Sequence, residues 1–209
     1  MTSTADVRGH EDVTDVPSIV AGSIRLGLLE ALLVLVFSLA SRFLDGVLET
    51  IVCALIVIIG LAAVTMLPGL WTRARTIEGI AGGAGIGLGA TGVFLLLDVM
   101  LLQNIGTYSN RWYEIGGGSN WWYHPVWWMV GTFLPWLGAW TLANQVQRKG
   151  RPNVVNGLLI TFVLALLLGA LAALFGFPGA RWSLGTFAVA FLPALVLATI
   201  ASGIGSRRT

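Results

Sequence analysis

The sequence predicts an all-α integral membrane protein, a bundle of six transmembrane helices joined mostly by short loops. Hydrophobic residues occupy 56% of the 209 positions and charged residues only 11%, whereas soluble domains carry about 25% charged residues. Several apolar runs approach the roughly 20 residues that a helix needs to cross a bilayer. A soluble fold would bury one or two such segments and not six, so we expect a membrane protein.

Six apolar segments are separated by polar or turn-forming residues. The expected spans, in chain order, are Leu26–Phe43, Val47–Leu70, Ile77–Ile105, Pro125–Val146, Val154–Phe175 and Leu184–Ile204. Residues 1–18 before them are acidic and lack the apolar core of a cleavable signal peptide, so we expect a disordered tail. Residues 19–209 then form a single transmembrane domain, whose longest connection is the aromatic loop at 106–124.

The distribution of Lys and Arg predicts the orientation of the chain. Nine of the twelve basic residues lie in the two tails and in the second and fourth connections, and the other three are Arg42, Arg111 and Arg181. Basic residues favour the cytoplasmic side. We therefore expect a protein of the plasma (inner) membrane with both termini in the cytoplasm and the loop at 106–124 on the outer side. The basic residues form no single patch, so a nucleic-acid partner is not expected.

The third span is rich in glycine, and the fourth and sixth contain proline. Small residues at four-residue spacing let helix backbones approach closely, which predicts tight packing of this span against its neighbours. The glycines proposed to pack are Gly79, Gly83, Gly85, Gly87 and Gly89. A phosphate-binding glycine loop is not expected, because no strand precedes this run. Pro135 and Pro193 lie within spans and predict kinks in the fourth and sixth helices.

Aromatic residues are concentrated in the loop before the fourth span and in the first turns of that span. Rings with a polar edge favour the headgroup level, so the cluster predicts either an interfacial belt or an outer platform that docks a partner protein, pigment or quinone. The residues of this expected platform are Trp112, Tyr113, Trp121, Trp122, Tyr123, Trp127 and Trp128.

Asp98 and Glu30 are acidic residues within expected spans, where ionisable groups are costly and suggest function. On a helical projection Asp98 shares a face with Gly87 and Thr91, so it is expected to point into the protein. It serves there either as a hydrogen-bond partner of a neighbouring helix, of Arg111 or of the loop backbone, or as a proton- or ion-handling group. Glu30 is expected near the cytoplasmic headgroups or paired with a basic residue of another span.

The sequence requires no cofactor. Cys53 is the sole cysteine and His10 and His124 are the two histidines, which excludes an iron–sulfur cluster, a bis-histidine haem held by this chain alone and a three-histidine metal site. His124, at the start of the fourth span, is a candidate contact for a pigment magnesium or a quinone carbonyl, or simply a helix-start residue. The common hydrolase, metalloprotease and nucleotide-binding motifs are absent, so we do not expect an enzyme.

Two functions are consistent with these features. The favoured one is a non-catalytic integral membrane subunit that packs into and stabilises a larger complex, with a respiratory or photosynthetic assembly as one natural host. Its partners would be other membrane proteins, further copies of the chain and lipid. The alternative is a small-solute or ion channel or transporter that uses Asp98 and Glu30, with the proline-containing fourth and sixth helices lining a path.

Overall fold

The computed structural model describes residues 11–108 and 123–204, and these residues form six α-helices and no strand. The helices are α1 Val16–Phe43, α2 Gly46–Trp71, α3 Ile77–Leu97, α4 Tyr123–Lys149, α5 Val154–Leu174 and α6 Leu184–Gly203, and a π-helical turn, Asp98–Leu102, extends α3. The all-helical class is confirmed. When the π-helical turn is counted with α3, every helix end apart from the start of α1 lies within three residues of its expected position.

Five of the six helices are long and apolar enough to cross a membrane, and the exception is α4. This helix has 27 residues, so its length suffices. It packs against α2, α3 and α6 and buries Leu134, Ala139 and Leu142 almost completely. Because other helices cover several of its sides, α4 needs less apolar surface than a helix that faces lipid.

The first helix begins ten residues before the expected start at Leu26. Asp15 caps it by accepting a hydrogen bond from the backbone N–H of Ser18 at 3.0 Å, and Pro17 lies in its first turn. An oxygen-bearing cap and an early proline are typical helix-start signals. Arg25 therefore lies inside the helix, and the expected span Leu26–Phe43 covers the last 18 of its 28 residues.

The expected disordered tail at residues 1–18 is described in part: α1 begins within it at Val16, and residues 1–10 lie outside the described residues. The Asp12 carboxylate accepts hydrogen bonds from the backbone N–H groups of Arg75, Thr76 and Gly79, each at 3.0 Å. These donors surround the start of α3, where a negative charge is stabilised by the unpaired N–H groups and the helix dipole. The acidic residues that suggested disorder therefore cap two helices.

The helices do not pack uniformly around the bundle. The most extensive contacts are between α1 and α3, between α3 and α4, and between α5 and α6. By contrast, α2 and α6 touch at few points. The bundle has two ends, here called the Glu49 end, which holds the α1–α2 and α5–α6 connections, and the Arg148 end, which holds the α2–α3 and α4–α5 connections.

The glycines of α3 face α4 at very short range. A Cβ atom on Gly83 would lie 2.9 Å from the Cβ of Ala139, and one on Gly87 would overlap the carbonyl oxygen of Gly131 and the ring of Pro135. Backbone and ring atoms cannot move aside as a flexible side chain can. The α3–α4 interface therefore has no room for a side chain at Gly87.

The other proposed packing glycines have different surroundings. A Cβ on Gly89 would overlap the side chain of Ser23 on α1, and a Cβ on Gly79 would lie 2.6 Å from the Asp12 carboxylate. At Gly85 the nearest heavy atom would be 3.8 Å away, which is ordinary van der Waals contact. The glycines thus divide into helix-packing positions, one capping position and one position with space.

Kinks at the prolines stay a prediction, although Pro135 and Pro193 do lie inside α4 and α6.

Candidate functional site

Glu30 lies at the middle of α1. It is fourteen positions beyond Val16 in a helix of 28 residues, which places it about 21 Å along a helix of about 42 Å. A helix of that length matches a whole bilayer with its headgroups. Glu30 therefore lies at mid-helix because α1 starts earlier than expected, and its place relative to the cytoplasmic headgroups stays a prediction.

The Glu30 side chain is buried and lacks a complete set of hydrogen bonds. It is 5% exposed, and within the described residues its Oε2 atom has no hydrogen-bond partner. It lines a cavity of about 250 Å³ between α1, α2, α4 and α6. The other residues of this cavity are apolar or glycine, and they include Phe37, Gly60, Leu61, Trp127, Leu134 and Ala188.

A carboxyl group in such apolar surroundings is stable in only a few protonation or pairing states. Burying an unpaired carboxylate in an apolar medium is strongly unfavourable, whereas a neutral acid or an ion pair costs far less. Most buried polar atoms in proteins have a partner, so an orphaned one calls for an explanation. The geometry around Glu30 suits a group that takes up a proton or a cation in the adjoining cavity.

A second, larger cavity adjoins the first. It has a volume of about 660 Å³ and lies between α2 and the α5–α6 pair, where the helices touch little. The two cavities share four lining residues, Val57, Leu61, Leu184 and Ala188. They are here called together the α2–α6 recess. The recess runs from the Glu49 end of the bundle to Glu30 at mid-helix.

The recess contains a second acid, which the sequence analysis did not single out. Glu49 lies in the first turn of α2, is 7% exposed and lines the larger cavity. In the sequence Glu49 lies just inside the start of an expected span. An acidic residue at that position resembles an ordinary interfacial residue, so the sequence does not mark it as part of a site. Cys53 is buried and lines the same cavity.

Asp98 has the opposite environment. It is fully buried, and its Oδ2 accepts a hydrogen bond from Gln103 Nε2 at 2.7 Å, while its Oδ1 accepts one from the hydroxyl of Tyr108. It starts the π-helical turn, in which the backbone N–H of Gln103 donates to the Asp98 carbonyl at 2.9 Å. Both carboxyl oxygens are therefore occupied within the protein, as a stabilising role requires. Arg111, one expected partner, lies outside the described residues.

The π-helical turn explains why the partners of Asp98 were not found. A regular helix brings residues three and four positions apart together, but a π turn pairs residues five apart. Gln103 lies at that spacing, and Tyr108 returns from the connection that follows. Sequence periodicity offers no direct sign of either contact.

Most of the expected aromatic platform falls on residues whose side chains are not described. Trp112, Tyr113, Trp121 and Trp122 lie outside the described residues, and of Tyr123 and His124 only the backbone, in the first turn of α4, is described. Their proposed contacts stay predictions.

Of the remaining two platform residues, Trp127 points inward, packs on Phe94 with ring centroids 4.5 Å apart and lines the cavity beside Glu30. Trp128 is 41% exposed.

At the Arg148 end, hydrogen bonds close the contact between α4 and α6. The hydroxyls of Thr141 and Thr199 lie 2.9 Å apart, and Asn144 Nδ2 donates to Ser202 Oγ at 3.0 Å. Arg148 donates to the Ser202 carbonyl at 3.3 Å. The bundle is therefore open beside Glu49 and tied together at its other end.

Comparisons with known proteins give no relative from which to transfer a function. No protein-family model matches the chain, and neither a curated protein nor a solved structure matches it. Among the described residues, no group of three or more His, Cys, Asp or Glu side chains is placed to hold a metal ion.

Proposed function

We propose that the protein is a small-solute or ion transporter in which Glu30 is the binding group for a proton or cation. The observation that carries this proposal is a buried carboxyl at the centre of a membrane-length helix, which faces a cavity and has one oxygen without a hydrogen-bond partner among the described residues. Ionisable groups with this placement are typical of proton and ion pathways. The subunit function favoured by sequence alone has no comparable local feature behind it.

The two acids that the sequence linked receive different roles in this proposal. Glu30 binds the transported or coupling ion, and Asp98 stabilises the end of α3 through Gln103 and Tyr108. Access from the Glu49 end is already present along the α2–α6 recess. Access from the Arg148 end requires separation of α4 and α6 near Thr141 and Thr199, as alternating access demands.

A charge-displacement measurement tests the role of Glu30. Protein in liposomes is adsorbed to a solid-supported membrane, and a pH jump is applied. Proton movement to a carboxyl at mid-membrane carries charge, so the wild-type protein should give a transient current. Glu30→Gln should abolish the current, whereas Asp98→Asn should retain it. A current of equal size in Glu30→Gln contradicts the proposal.

The proposed orientation places both termini in the cytoplasm and the Glu49 end outside the plasma (inner) membrane, with α4 as the sixth crossing segment. The nine-to-three distribution of basic residues supports this, as does the packing of α4 among three other helices. Cysteines introduced at Ser119 and Thr209 in a Cys53→Ala background should react with an impermeant reagent from opposite sides. Reaction of both from one side would disprove six spans.

The second candidate function is the non-catalytic subunit of a larger complex, respiratory or photosynthetic. The specific feature in its favour is exposed aromatic surface at the Glu49 end, where Trp128 is 41% and Trp182 66% exposed, since aromatic anchors are enriched at protein interfaces. Purification in mild detergent followed by mass spectrometry should then recover a stoichiometric membrane partner. Recovery of the chain with lipid alone would leave this candidate without support.

A further inference from the structure

We infer that the α2–α6 recess binds a lipophilic organic cation, an ammonium-type ligand with an apolar body whose charge pairs with Glu30. This inference rests on the proposed function and names its substrate class. Three properties of the recess carry it, namely its charge, its aromatic lining and its opening toward lipid.

The charge of the recess favours a cation. Glu30 and Glu49 line it, and among the described residues that line it none is basic. Arg181 lies beside the mouth in the α5–α6 connection but is exposed to solvent. In a low-dielectric cavity the Glu30 carboxyl can pair with a cation once its proton has left, whereas in the ionised form it repels an anion.

The lining favours an organic cation over a metal ion. The larger cavity is lined by Phe162, Trp182, Phe187 and Phe191, with the rings of Phe162 and Phe191 centred 5.0 Å apart. Aromatic faces attract ammonium-type cations. Hard metal ions instead need about six oxygen ligands, and among the described residues that line the smaller cavity only Glu30 has an oxygen-bearing side chain.

The size and position of the recess suit a ligand that arrives from the membrane. Its larger part measures about 660 Å³, within the range of roughly 300–1,000 Å³ that is usual for small-molecule sites. Ile58 and Leu166 line it and are 43% and 59% exposed on the lipid-facing surface. The recess therefore reaches the side of the bundle, where a lipophilic cation dissolved in the bilayer can enter.

Binding exchanges a proton for the ligand. In the empty recess the Glu30 carboxyl is neutral, and when the cation arrives the O–H proton leaves to water through the mouth beside Glu49. The carboxylate then pairs with the cation, so the charge inside the recess is unchanged. The other titratable groups among the described lining residues are the Glu49 carboxyl and the Cys53 thiol. Affinity should therefore rise with pH as the proton competes less.

Isothermal titration calorimetry with tetraphenylphosphonium tests the inference on the full chain in detergent. Two pH values show the proton competition, and two buffers of different ionisation enthalpy count the protons released. We expect saturable binding, tighter at the higher pH, with about one proton released per cation bound. In Glu30→Gln the affinity should fall at least about tenfold and the proton release should vanish. Glu78→Gln, the same change at an exposed position in the first turn of α3, should match the wild type.

A second variant tests whether the ligand needs the volume of the recess, independently of the charge on Glu30. Ala188 lines both cavities, so Ala188→Phe should block the cation while the pH-jump current at Glu30 persists. Binding of the neutral analogue triphenylphosphine oxide as tightly as the phosphonium would overturn the inference. Equal affinity in Glu30→Gln, or a co-purified lipid or protein that excludes the cation from the recess, would overturn it as well.

The same data distinguish the inference from the proposed function. If tetraphenylphosphonium does not bind but the Glu30-dependent current remains, the ion-handling function stands and the substrate class is wrong. If the cation binds through Glu30 but the current is absent, the recess is a binding site and the transport proposal is wrong.

Discussion

The bundle has a closely packed side and an open side, and a buried carboxyl group lies on each: Asp98 at the end of α3 and Glu30 in the middle of α1. On the packed side, α1, α3 and α4 meet through glycines, and Asp98 has hydrogen bonds at both oxygens. On the open side, α2 and α6 touch little, and Glu30 faces a cavity in which its Oε2 has no hydrogen-bond partner among the described residues. Burial alone therefore does not mark a functional acid. The missing partner and the adjoining space distinguish Glu30 from Asp98.

The largest expected effect is at Gly87 on the packed side. Gly87→Ala places a methyl group against the carbonyl of Gly131 and the ring of Pro135, so we expect a loss of about 3 kcal/mol of stability, at the upper end of the usual cost of overpacking. Gly85→Ala is the matched control, because its Cβ has space and alanine favours a helix by about 0.5–1 kcal/mol. Thermal unfolding in detergent measures both. Equal melting temperatures would show that the α3–α4 interface yields easily.

Asp98 should give the next largest effect. Asp98→Leu leaves the Tyr108 hydroxyl without its acceptor, which costs about 1–3 kcal/mol for a buried polar group. Asp98→Asn keeps an oxygen acceptor of the same shape, so its melting temperature should lie closer to that of the wild type. A wild-type melting temperature for Asp98→Leu would contradict the stabilising role given to Asp98.

A substitution at Glu30 tests the open side of the bundle. Glu30→Leu replaces an incompletely bonded carboxyl in an apolar cavity with an apolar side chain. We expect the melting temperature to stay the same or to rise, since functional groups are often held at a cost in stability. A fall as large as that of Asp98→Leu would mean that Glu30 has a stabilising partner, and the comparison would fail.

The smallest effect concerns the cap of α1, outside the spanning segment. The hydrogen bonds from the Ser18 side chain and backbone lower the pKa of Asp15 below its ordinary value of 3.8. A lowered folded-state pKa gives stability that is present above the unfolded value and is lost as the pH falls through the folded one. Wild type should therefore melt slightly above Asp15→Ala near neutral pH, and the difference should shrink below about pH 4. A difference that does not change with pH would assign the effect to something other than the carboxylate.

Apolar run length determined most of the helix bounds. It is a local property of the chain, so five helices, with the π-helical turn counted in α3, and the end of α1 could be placed within three residues without tertiary information. The start of α1 was missed because Arg25 looked like a boundary. In the structure the preceding turns pack against α3, where a Cβ on Gly22 would lie 3.0 Å from Ile86. This contact between α1 and α3 stabilises the first turns of α1, so the helix continues through Arg25. A local sequence pattern cannot predict such a contact.

By itself the sequence determined an all-helical membrane protein, the places where its helices lie and the presence of Asp98 and Glu30 within them. Only the tertiary structure decided what those acids do. Asp98 acquires partners because a π turn and a returning connection bring Gln103 and Tyr108 to it. Glu30 acquires a cavity because α2 and α6 stay apart. Both outcomes depend on which distant segments meet, and the free energy of such contacts is a property of the packed bundle, not of any one helix.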